Sequence, residues 1–334
     1  MTKRLSKLSI IFPFFNAQRH VEEKLSIFGK ILEMGGQLIF VNDNSRDNGA
    51  SILCDALASH EEGFVLANLS ENVGAGASRN VGFKLANREF VLFLDIDDRI
   101  DADLLCEALA DCRTQGCEIQ LSRFSLEDEN GNTLRLSRTD RKIFEIIKSR
   151  YSHKLFSIDE FPKLLRLTNY PWNKIVNTEF ARKVNLKFSE TRVQNDVFAH
   201  WQLLLAAKRI GFFDGVYTSH ILSDKHHQIT NDFGKNRLQM FDVFDQVERE
   251  LFSVREYKRI GYSEYLAFKT ELMLWAQARM QSDLLDFFHR RAHKQTMLTS
   301  RLDLLMFWLQ HPSRAKRYNR FRNRKKNSTA NPMK

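Results

Sequence analysis

Residues 90–98 read Phe-Val-Leu-Phe-Leu-Asp-Ile-Asp-Asp, a run of five apolar residues followed directly by acidic ones. A short, continuous apolar run is typical of a strand that is buried on both faces of a parallel sheet. We therefore expect Asp95 and Asp97 to lie where a buried strand opens into a cleft. Carboxylates clustered there favour a hard divalent cation, Mn²⁺ or Mg²⁺, that could bind a diphosphate. An acidic turn without a metal is the alternative, and the second D-x-D, at residues 101–103, is better explained as a helix cap.

Strand and helix patterns alternate on both sides of this stretch. Apolar strand patterns occupy residues 8–13, 37–41, 64–69 and 90–94. Helical spacing of apolar residues occupies residues 17–32, 49–60, 77–87 and 102–114. The alternation predicts an α/β fold with a mixed, mostly parallel, doubly wound sheet flanked by helices.

Beyond residue 118 the pattern changes. A strand over residues 118–126 and a hairpin turn at residues 130–132 are predicted. The spacing then becomes helical over residues 237–252, 263–280 and 283–309. We divide the chain into an α/β domain over residues 1–230, a helical C-terminal region over 231–310 and a disordered basic tail over 311–334.

The composition, with 43% hydrophobic residues, is that of a globular protein. No apolar run is long enough to span a bilayer, and the first residues lack the apolar stretch of a secretory signal, so we expect a cytoplasmic protein. The four cysteines show neither the spacing of a zinc site nor the density of a disulfide scaffold. We expect all four to be buried thiols.

Polar residues follow the predicted strands, and ligands of open parallel sheets bind beyond the carboxyl ends of the strands. The third strand leads into a glycine-rich turn at residues 74–76, but Arg79 occupies the third glycine position of the dinucleotide motif, so we do not expect a nicotinamide cofactor. Early in a helix, Arg79 could instead reach a phosphate or fix an aspartate. Asp196 falls in the first turn of an amphipathic helix, where it is either a capping carboxylate or a general base.

Several short motifs, taken in order, resemble the family 2 glycosyltransferases, which have the GT-A fold. They are Ile11 to Ala17, Val41 to Ser45, Asn72 to Gly74 with Ser78 to Gly82, Phe93 to Asp98, Pro171 to Lys174, Val184 to Phe188 and Asn195 to Phe198. The resemblance covers about residues 8–230, and it implies inverting transfer of a sugar from a nucleoside diphosphate, with UDP expected, to an acceptor hydroxyl.

The resemblance also implies roles for individual residues. Asp196 would be the catalytic base, and Asp97 would bind Mn²⁺ or Mg²⁺ together with Asp95. The residues implied to bind the donor are Pro13, Phe15, Asn16, Asp43, Asn72, Gly74, Arg79, Asp95 and Ile96. The residues implied on the acceptor side are Trp172, Asn173 and Lys174.

Two features depart from the family pattern. Asn195 stands before Asp196 where the family commonly has a glutamate, which changes the neighbour of the base. The stretch of residues 218–230 resembles the loop that closes over the donor phosphates, but it carries histidines where arginine or tyrosine is usual. His220 is the histidine that could complete the metal site, and a solvated loop residue is the alternative.

The net charge of +10 is concentrated at the C-terminal end. Residues 304–334 contain nine basic and no acidic residues, which leaves +1 for residues 1–303. Together with the apolar residues 302–309, the basic run is similar to an interfacial helix, so residues 302–326 are expected to contact an anionic membrane surface at the cytoplasmic face of the inner membrane. The acceptor would then be a glycan or a lipid-linked glycan of the cell surface. Alternatively, the helix packs on the protein.

Two other classes of function compete with sugar transfer. A nucleic-acid-binding protein could use the basic run, but that reading leaves the acidic strand ends unexplained, and we do not expect nucleic acid as a partner. A catalytically inactive relative could serve as a binding module. The presence of all the expected acidic positions favours an enzyme.

Overall fold

The computed structural model describes residues 3–60, 62–222 and 234–323. The chain forms two compact units, residues 1–226 and residues 227–334. The strands, all in the first unit, are β1 (Leu8–Phe14), β2 (Gln37–Asn42), β3 (Phe64–Asn68), β4 (Phe90–Phe93), β5 (Arg99–Ile100), β6 (Ile119–Ser122), β7 (Ser125–Asp128), β8 (Thr133–Leu134), β9 (Lys174–Asn177), β10 (Ile210–Phe213) and β11 (Thr218–Leu222).

Seven of these strands form the central sheet, in the order β10-β6-β9-β4-β1-β2-β3. Only β9 is antiparallel to its neighbours β4 and β6 within this sheet, and the other pairs are parallel. The predicted mixed, mostly parallel sheet is therefore confirmed. Every residue of β1, β2 and β4 is buried, which explains why these strands have continuous apolar runs.

The helices of the first unit connect these strands. They are α1 (Gln18–Glu33), α2 (Gly49–Leu57), α3 (Ala75–Leu85), α4 (Ala102–Gln115), α5 (Arg138–Tyr151), α6 (Thr178–Lys183) and α7 (Asn195–Ala206). Helix α3 packs so closely on β1 that a Cβ atom at Gly82 would lie 2.4 Å from the Cγ2 atom of Ile11. Asp101 caps α4 by accepting hydrogen bonds from the backbone N–H groups of Asp103 and Leu104, as predicted.

A second, smaller sheet has the order β5-β11-β7-β8. The hairpin turn predicted at residues 130–132 joins β7 to β8 within it, with Gly131 in the left-handed region at φ 83°. Strand β11 pairs with β5 directly after the acidic stretch of residues 95–98, with Ser219 opposite Arg99. This pairing brings the histidine that follows Ser219 to the acidic stretch.

The described part of the second unit is helical, as expected. Its helices are α8 (Met240–Glu250), α9 (Arg255–Gln277), α10 (Leu285–Met297), α11 (Arg301–Gln310) and α12 (Pro312–Arg322). The single helix expected over residues 283–309 is two helices, because the chain leaves α10 before Ser300, whose side chain caps α11. In the described part of the chain, no helix is long and apolar enough to cross a membrane.

Two predictions were wrong. Of the tail expected to be disordered over residues 311–334, residues 312–322 form α12, because Ala315, Tyr318 and Phe321 recur on one face of that helix and are buried. Residues 324–334 lie outside the described residues. Tyr318 also shares a hydrogen bond of 2.6 Å with the hydroxyl of Thr299. Cys54, expected to be buried, is exposed on α2, whereas the other three cysteines are buried.

Candidate active site

Asp43 fastens the loop after β2 to the loop after β3. Asp43 is 4% exposed. Its carboxylate accepts hydrogen bonds from the backbone N–H groups of Val73 (2.7 Å) and Gly74 (2.8 Å). The side-chain amide of Asn72 donates to the carbonyl of Asp43 at 3.1 Å. Gly74 is required here because its φ of 90° lies in the left-handed region. The structure thus brings together three residues predicted to bind the donor, although their contact with a donor stays a prediction.

The end of β1 supplies the other predicted base-binding residues. Pro13 is buried within the strand, whereas Phe15 is 48% exposed beyond it. Asn16 is tied to the next loop, since its backbone N–H donates to Ser45 and its side-chain oxygen accepts from the backbone of Arg46. An exposed aromatic ring beside an anchored asparagine suits stacking on a flat ligand.

Arg79 connects two parts of the site that are far apart in sequence. Its guanidinium forms a short ion pair with Asp95, at the end of β4, and donates a 2.7 Å hydrogen bond to the side chain of Asn195, the first residue of α7. The group is 4% exposed and lies over the ring of Phe188 at 5.3 Å. A cation held in this way fixes the carboxylate of Asp95 and the start of α7 in one arrangement.

The chain allows this approach because glycine occupies position 76 in α3. A Cβ atom there would lie 2.1 Å from the backbone oxygen of Ser189. No real Cβ atom could come so close, so any other residue would push the segment before α7 away from α3.

Asp196 lies in the first turn of α7, next to the residue that Arg79 binds. The predicted amphipathic helix is confirmed, with Trp201, Leu204 and Leu205 buried. Burial raises the pKa of Asp196 to about 6, although the positive charges of Arg79 and Lys174 favour its ionised form. A half-buried carboxylate with a pKa near neutrality can exist in both protonation states, which a general base requires.

The acidic stretch after β4 is held from both sides. Asp95 is engaged by Arg79, and the carbonyl of Ile96 accepts a 2.7 Å hydrogen bond from the ammonium group of Lys24 on α1. Asp97 is half-buried and makes no hydrogen bond with the described residues. Nothing in the sequence around Lys24 singles it out, because it is one polar residue of an ordinary amphipathic helix.

Asp98 forms a buried pair with His220. Its carboxylate lies 2.6 Å from the Nδ1 atom of the imidazole and is completely enclosed. Burial raises the pKa of Asp98. Burial alone would disfavour the imidazolium, but the hydrogen bond to Asp98 raises the pKa of His220. The pairing of β11 with β5 explains this contact, which the sequence analysis did not predict.

The predicted acceptor-side residues are all buried. The ring of Trp172 stacks on Tyr170, at 4.3 Å between centroids, and also contacts the imidazole of His220, at 5.7 Å. Lys174 donates a 2.7 Å hydrogen bond to the side chain of Asn173. Burial lowers the pKa of Lys174 to about 7, against the attraction of Asp196 and Asp140. This cluster lies beside the proposed base, but its contact with an acceptor stays a prediction.

Divalent metal could bind here only with help from a ligand. Among the described residues, no group of three histidine, cysteine or acidic side chains is arranged to hold a metal ion. The free carboxylate of Asp97 and the second oxygen of Asp95 are hard oxygen ligands, which suit Mn²⁺ or Mg²⁺ when a diphosphate supplies the remaining oxygens. The residues present fit a donor-assisted metal site, and a ligand role for His220 stays a prediction. Residues 223–233, which hold the other histidines of the predicted phosphate loop, lie outside the described residues.

The model of a family described as glycosyl transferase family 2 matches residues 9–176, half of the chain. The chain therefore belongs to glycosyl transferase family 2, as its motifs indicated.

Individual proteins are similar over parts of the chain. The cholesterol galactosyltransferase of Borreliella burgdorferi is 22% identical over 213 residues, which cover 63% of this chain and 59% of that protein. The poly(ribitol-phosphate) beta-glucosyltransferase of Bacillus spizizenii is 32% identical over 101 residues, which cover 30% of this chain and 16% of that protein. The chain thus spans less than two thirds of either relative.

A solved structure is similar over nearly the whole chain. The crystal structure of residues 1–349 of S. aureus TarS in complex with UDP-GlcNAc has a TM-score of 0.74 at 19% identity, covering 95% of this chain and 89% of that one. Together with the family match, this similarity confirms the expected GT-A fold.

Proposed function

We propose that this chain is an inverting glycosyltransferase that moves a sugar from a nucleoside-diphosphate donor, with UDP as the nucleotide, to a hydroxyl of an acceptor. The observation that carries the proposal is the double engagement of Arg79. One guanidinium binds Asp95 on the donor side and Asn195 beside the proposed base. Bond making and bond breaking in sugar transfer need the donor side of the site and the base to be held at a fixed distance and orientation.

The reaction follows from the position of Asp196. Its carboxylate accepts the proton of the acceptor hydroxyl as the acceptor oxygen forms a bond to the anomeric carbon. The bond from that carbon to the diphosphate breaks on the opposite face, and the diphosphate leaves with the electron pair. The configuration is therefore inverted, an α-linked donor gives a β-linked product, and no covalent enzyme intermediate is needed.

The loops that Asp43 fastens would hold the nucleotide. The exposed ring of Phe15 would stack on the base, and Asn16, Asp43, Asn72 and Gly74 would form the surrounding wall. Since Asp43 binds the backbone at residues 73 and 74, it also supports the glycine-rich turn before α3. A turn of this kind presents backbone N–H groups to anionic ligands.

Asp97 and Asp95 would hold a divalent cation, and a cation bound there would supply positive charge to balance the charge of the departing diphosphate. Lys24 keeps the backbone of that stretch in place through Ile96. The protein thus positions two carboxylate ligands, and the diphosphate of the donor would supply the remaining oxygen ligands of the cation.

For the acceptor, we propose a glycan or lipid-linked glycan of the cell surface, which the enzyme would meet at the cytoplasmic face of the inner membrane. The names of the relatives support this class, since one acts on poly(ribitol phosphate) and another on a lipid. The sugar transferred is a hexose or an N-acetylhexosamine, as in the galactosyltransferase and in the complex with UDP-GlcNAc.

Donor binding tests this proposal. Thermal unfolding is measured with UDP-, GDP- and CDP-linked sugars, each with Mn²⁺ or with chelator, for the wild type and for Asp97→Ala. At a hundredfold excess over the dissociation constant, the correct donor should raise the stability by roughly 2 to 3 kcal/mol. The rise should need Mn²⁺ and should vanish in Asp97→Ala, but not in the control Asp103→Ala, which alters the other D-x-D. If none of the three nucleotide-linked sugars raised the stability of the wild type, the proposal would be contradicted.

A further inference from the structure

The second unit exposes an apolar surface on the end of α10 and on α11. Seven large apolar side chains there are between 42% and 71% exposed. We call them the apolar face, and they are Met297, Leu298, Leu302, Leu305, Met306, Trp308 and Leu309. Exposed apolar residues scattered singly are ordinary, but seven within residues 297–309 mark a surface that binds something.

Helix α11 is attached to its unit by very little of its own surface. Phe307 is its one buried residue, and most of the others are exposed. Leu302, Leu305 and Leu309 recur at helical spacing, so they form a single stripe that points away from the packed side. A helix that serves only to fill a core would present its leucines to that core.

Basic residues border the apolar face, and acidic residues are almost absent. Lys294 lies one helical turn before Met297 and Leu298, and Arg301 lies one turn before Leu305, all of them exposed. Between residues 287 and 323 the sole acidic residue is Asp303, which is paired with Lys258 at 2.9 Å.

The charge of the whole second unit is biased in the same way. Residues 227–334 contain 21 basic and 11 acidic residues, which gives the full net charge of +10, whereas residues 1–226 contain 30 of each. Helix α12 adds exposed cations at positions 316, 317 and 320. The unit that carries the apolar face is therefore also the unit that an anionic surface attracts.

We propose that the apolar face inserts into the headgroup region of an anionic lipid bilayer, with Lys294 and Arg301 contacting lipid phosphates. Apolar side chains with a tryptophan, bordered by cations, are the composition that favours the interface of such a bilayer. A second copy of this chain suits the face less well, because symmetric pairing would bring its basic borders together. The proposal is independent of the proposed function, since lipid binding is measured without sugar transfer.

Vesicle sedimentation tests the proposal. The full chain is mixed with vesicles of phosphatidylcholine alone or of phosphatidylcholine with phosphatidylglycerol, and the bound fraction is measured. The test variant is Leu302→Ser/Leu305→Ser/Leu309→Ser, and the matched control is Leu85→Ser, an exposed leucine in the first unit. All four side chains are exposed, so each variant should keep the thermal stability of the wild type within a small margin.

The wild type and Leu85→Ser should bind the anionic vesicles at least about tenfold more tightly than the neutral ones, and added salt should weaken this binding. The triple variant should bind the anionic vesicles about a hundredfold less tightly or worse, because three leucines no longer leave water. The charge variant Lys294→Gln/Arg301→Gln should lose part of the preference for anionic lipid. Insertion should also shift the tryptophan emission to shorter wavelength, and Trp308→Phe should abolish that shift.

Three results would overturn the proposal. The wild type could fail to bind anionic vesicles, or the triple variant could bind them as well as the control. The wild type could also form an oligomer in sedimentation velocity that the triple variant does not form, without any binding to vesicles, which would assign the apolar face to a second copy.

Discussion

Replacing Asp196 with asparagine should slow sugar transfer by about a hundredfold or more and, at the same time, stabilise the folded protein at about pH 8. Burial raises the pKa of this carboxyl from 3.8 to about 6, so its ionised form is disfavoured in the folded state. Asparagine has nearly the same shape and carries no charge, so it removes that unfavourable ionisation. A catalytic base held in a destabilising environment is a common trade of stability for activity.

The size of the effect follows from the shift in pKa. The folded value lies above the unfolded one, so the penalty is absent below the unfolded value of 3.8 and complete once the pH exceeds about 6. At about 1.4 kcal/mol per pKa unit, the full penalty is about 3 kcal/mol. Asparagine recovers only part of it, so we expect a gain of about 1 to 3 kcal/mol at pH 8 and about half of that at pH 5.

Urea unfolding, followed by tryptophan fluorescence at both pH values, measures this difference. The control is Glu179→Gln, which changes an exposed carboxylate in the first turn of α6. It should lose up to about 1 kcal/mol through the helix dipole, which is the opposite sign. If Asp196→Asn behaved like the control, Asp196 would be a capping carboxylate and the reasoning would be refuted.

Three further outcomes follow from the same site. The rate constant kcat/KM should fall about tenfold per pH unit below about pH 6 and be level above it, because Asp196 must be ionised; initial rates across that range check this. Arg79→Lys keeps the charge but replaces two guanidinium nitrogens, one bound to Asn195 and one to Asp95, with a single ammonium nitrogen on a shorter side chain, so steady-state kinetics should give kcat/KM about 10 to 100 times lower. Gly76→Ala should lower the free energy of unfolding by more than about 2 kcal/mol, because its Cβ atom would meet the backbone of Ser189. Gly29→Ala, with nothing near its Cβ atom, should raise that free energy by up to about 1 kcal/mol, and urea unfolding of both variants checks the pair.

The sequence predicted β1, β2 and β4 of the central sheet because these strands are buried on both faces. Such strands are continuous apolar runs, and their carboxyl ends meet at one edge, so the positions of Asp43 and Asp95 followed from the pattern. The placement of Asp196 in the first turn of a buried helix followed from helical periodicity.

The pairing of β5 with β11 and the contact of His220 with Asp98 could not be predicted in this way. Strand β5 has two residues, which is too short to show any periodicity, and the pair of Asp98 and His220 spans 122 residues of sequence. The contact of Lys24 with Ile96 has the same character, because it depends on how α1 packs and on no local motif. Long-range contacts of single polar residues leave no signal in one sequence.

The helices of the C-terminal unit were predicted in kind but not in detail. Apolar spacing continues from α10 into α11, so the break before Ser300 was hidden. In α12 the many basic residues suggested disorder, whereas Ala315 and Tyr318 supply a buried face at helical spacing. The basic composition of this segment was a weaker guide than the spacing of its apolar residues, because a few well-placed apolar residues suffice to hold a helix on its unit.

Separating donor binding from transfer in Asp196→Asn tests the central claim most directly. The variant is titrated calorimetrically with the donor that stabilises the wild type, and release of nucleoside diphosphate is then followed with a cell-envelope acceptor. We expect a Kd within about twofold of the wild type and a rate of release lower by about a hundredfold or more, since a general base contributes that much. A variant that still transferred sugar at a comparable rate would contradict the assignment of Asp196 as the base.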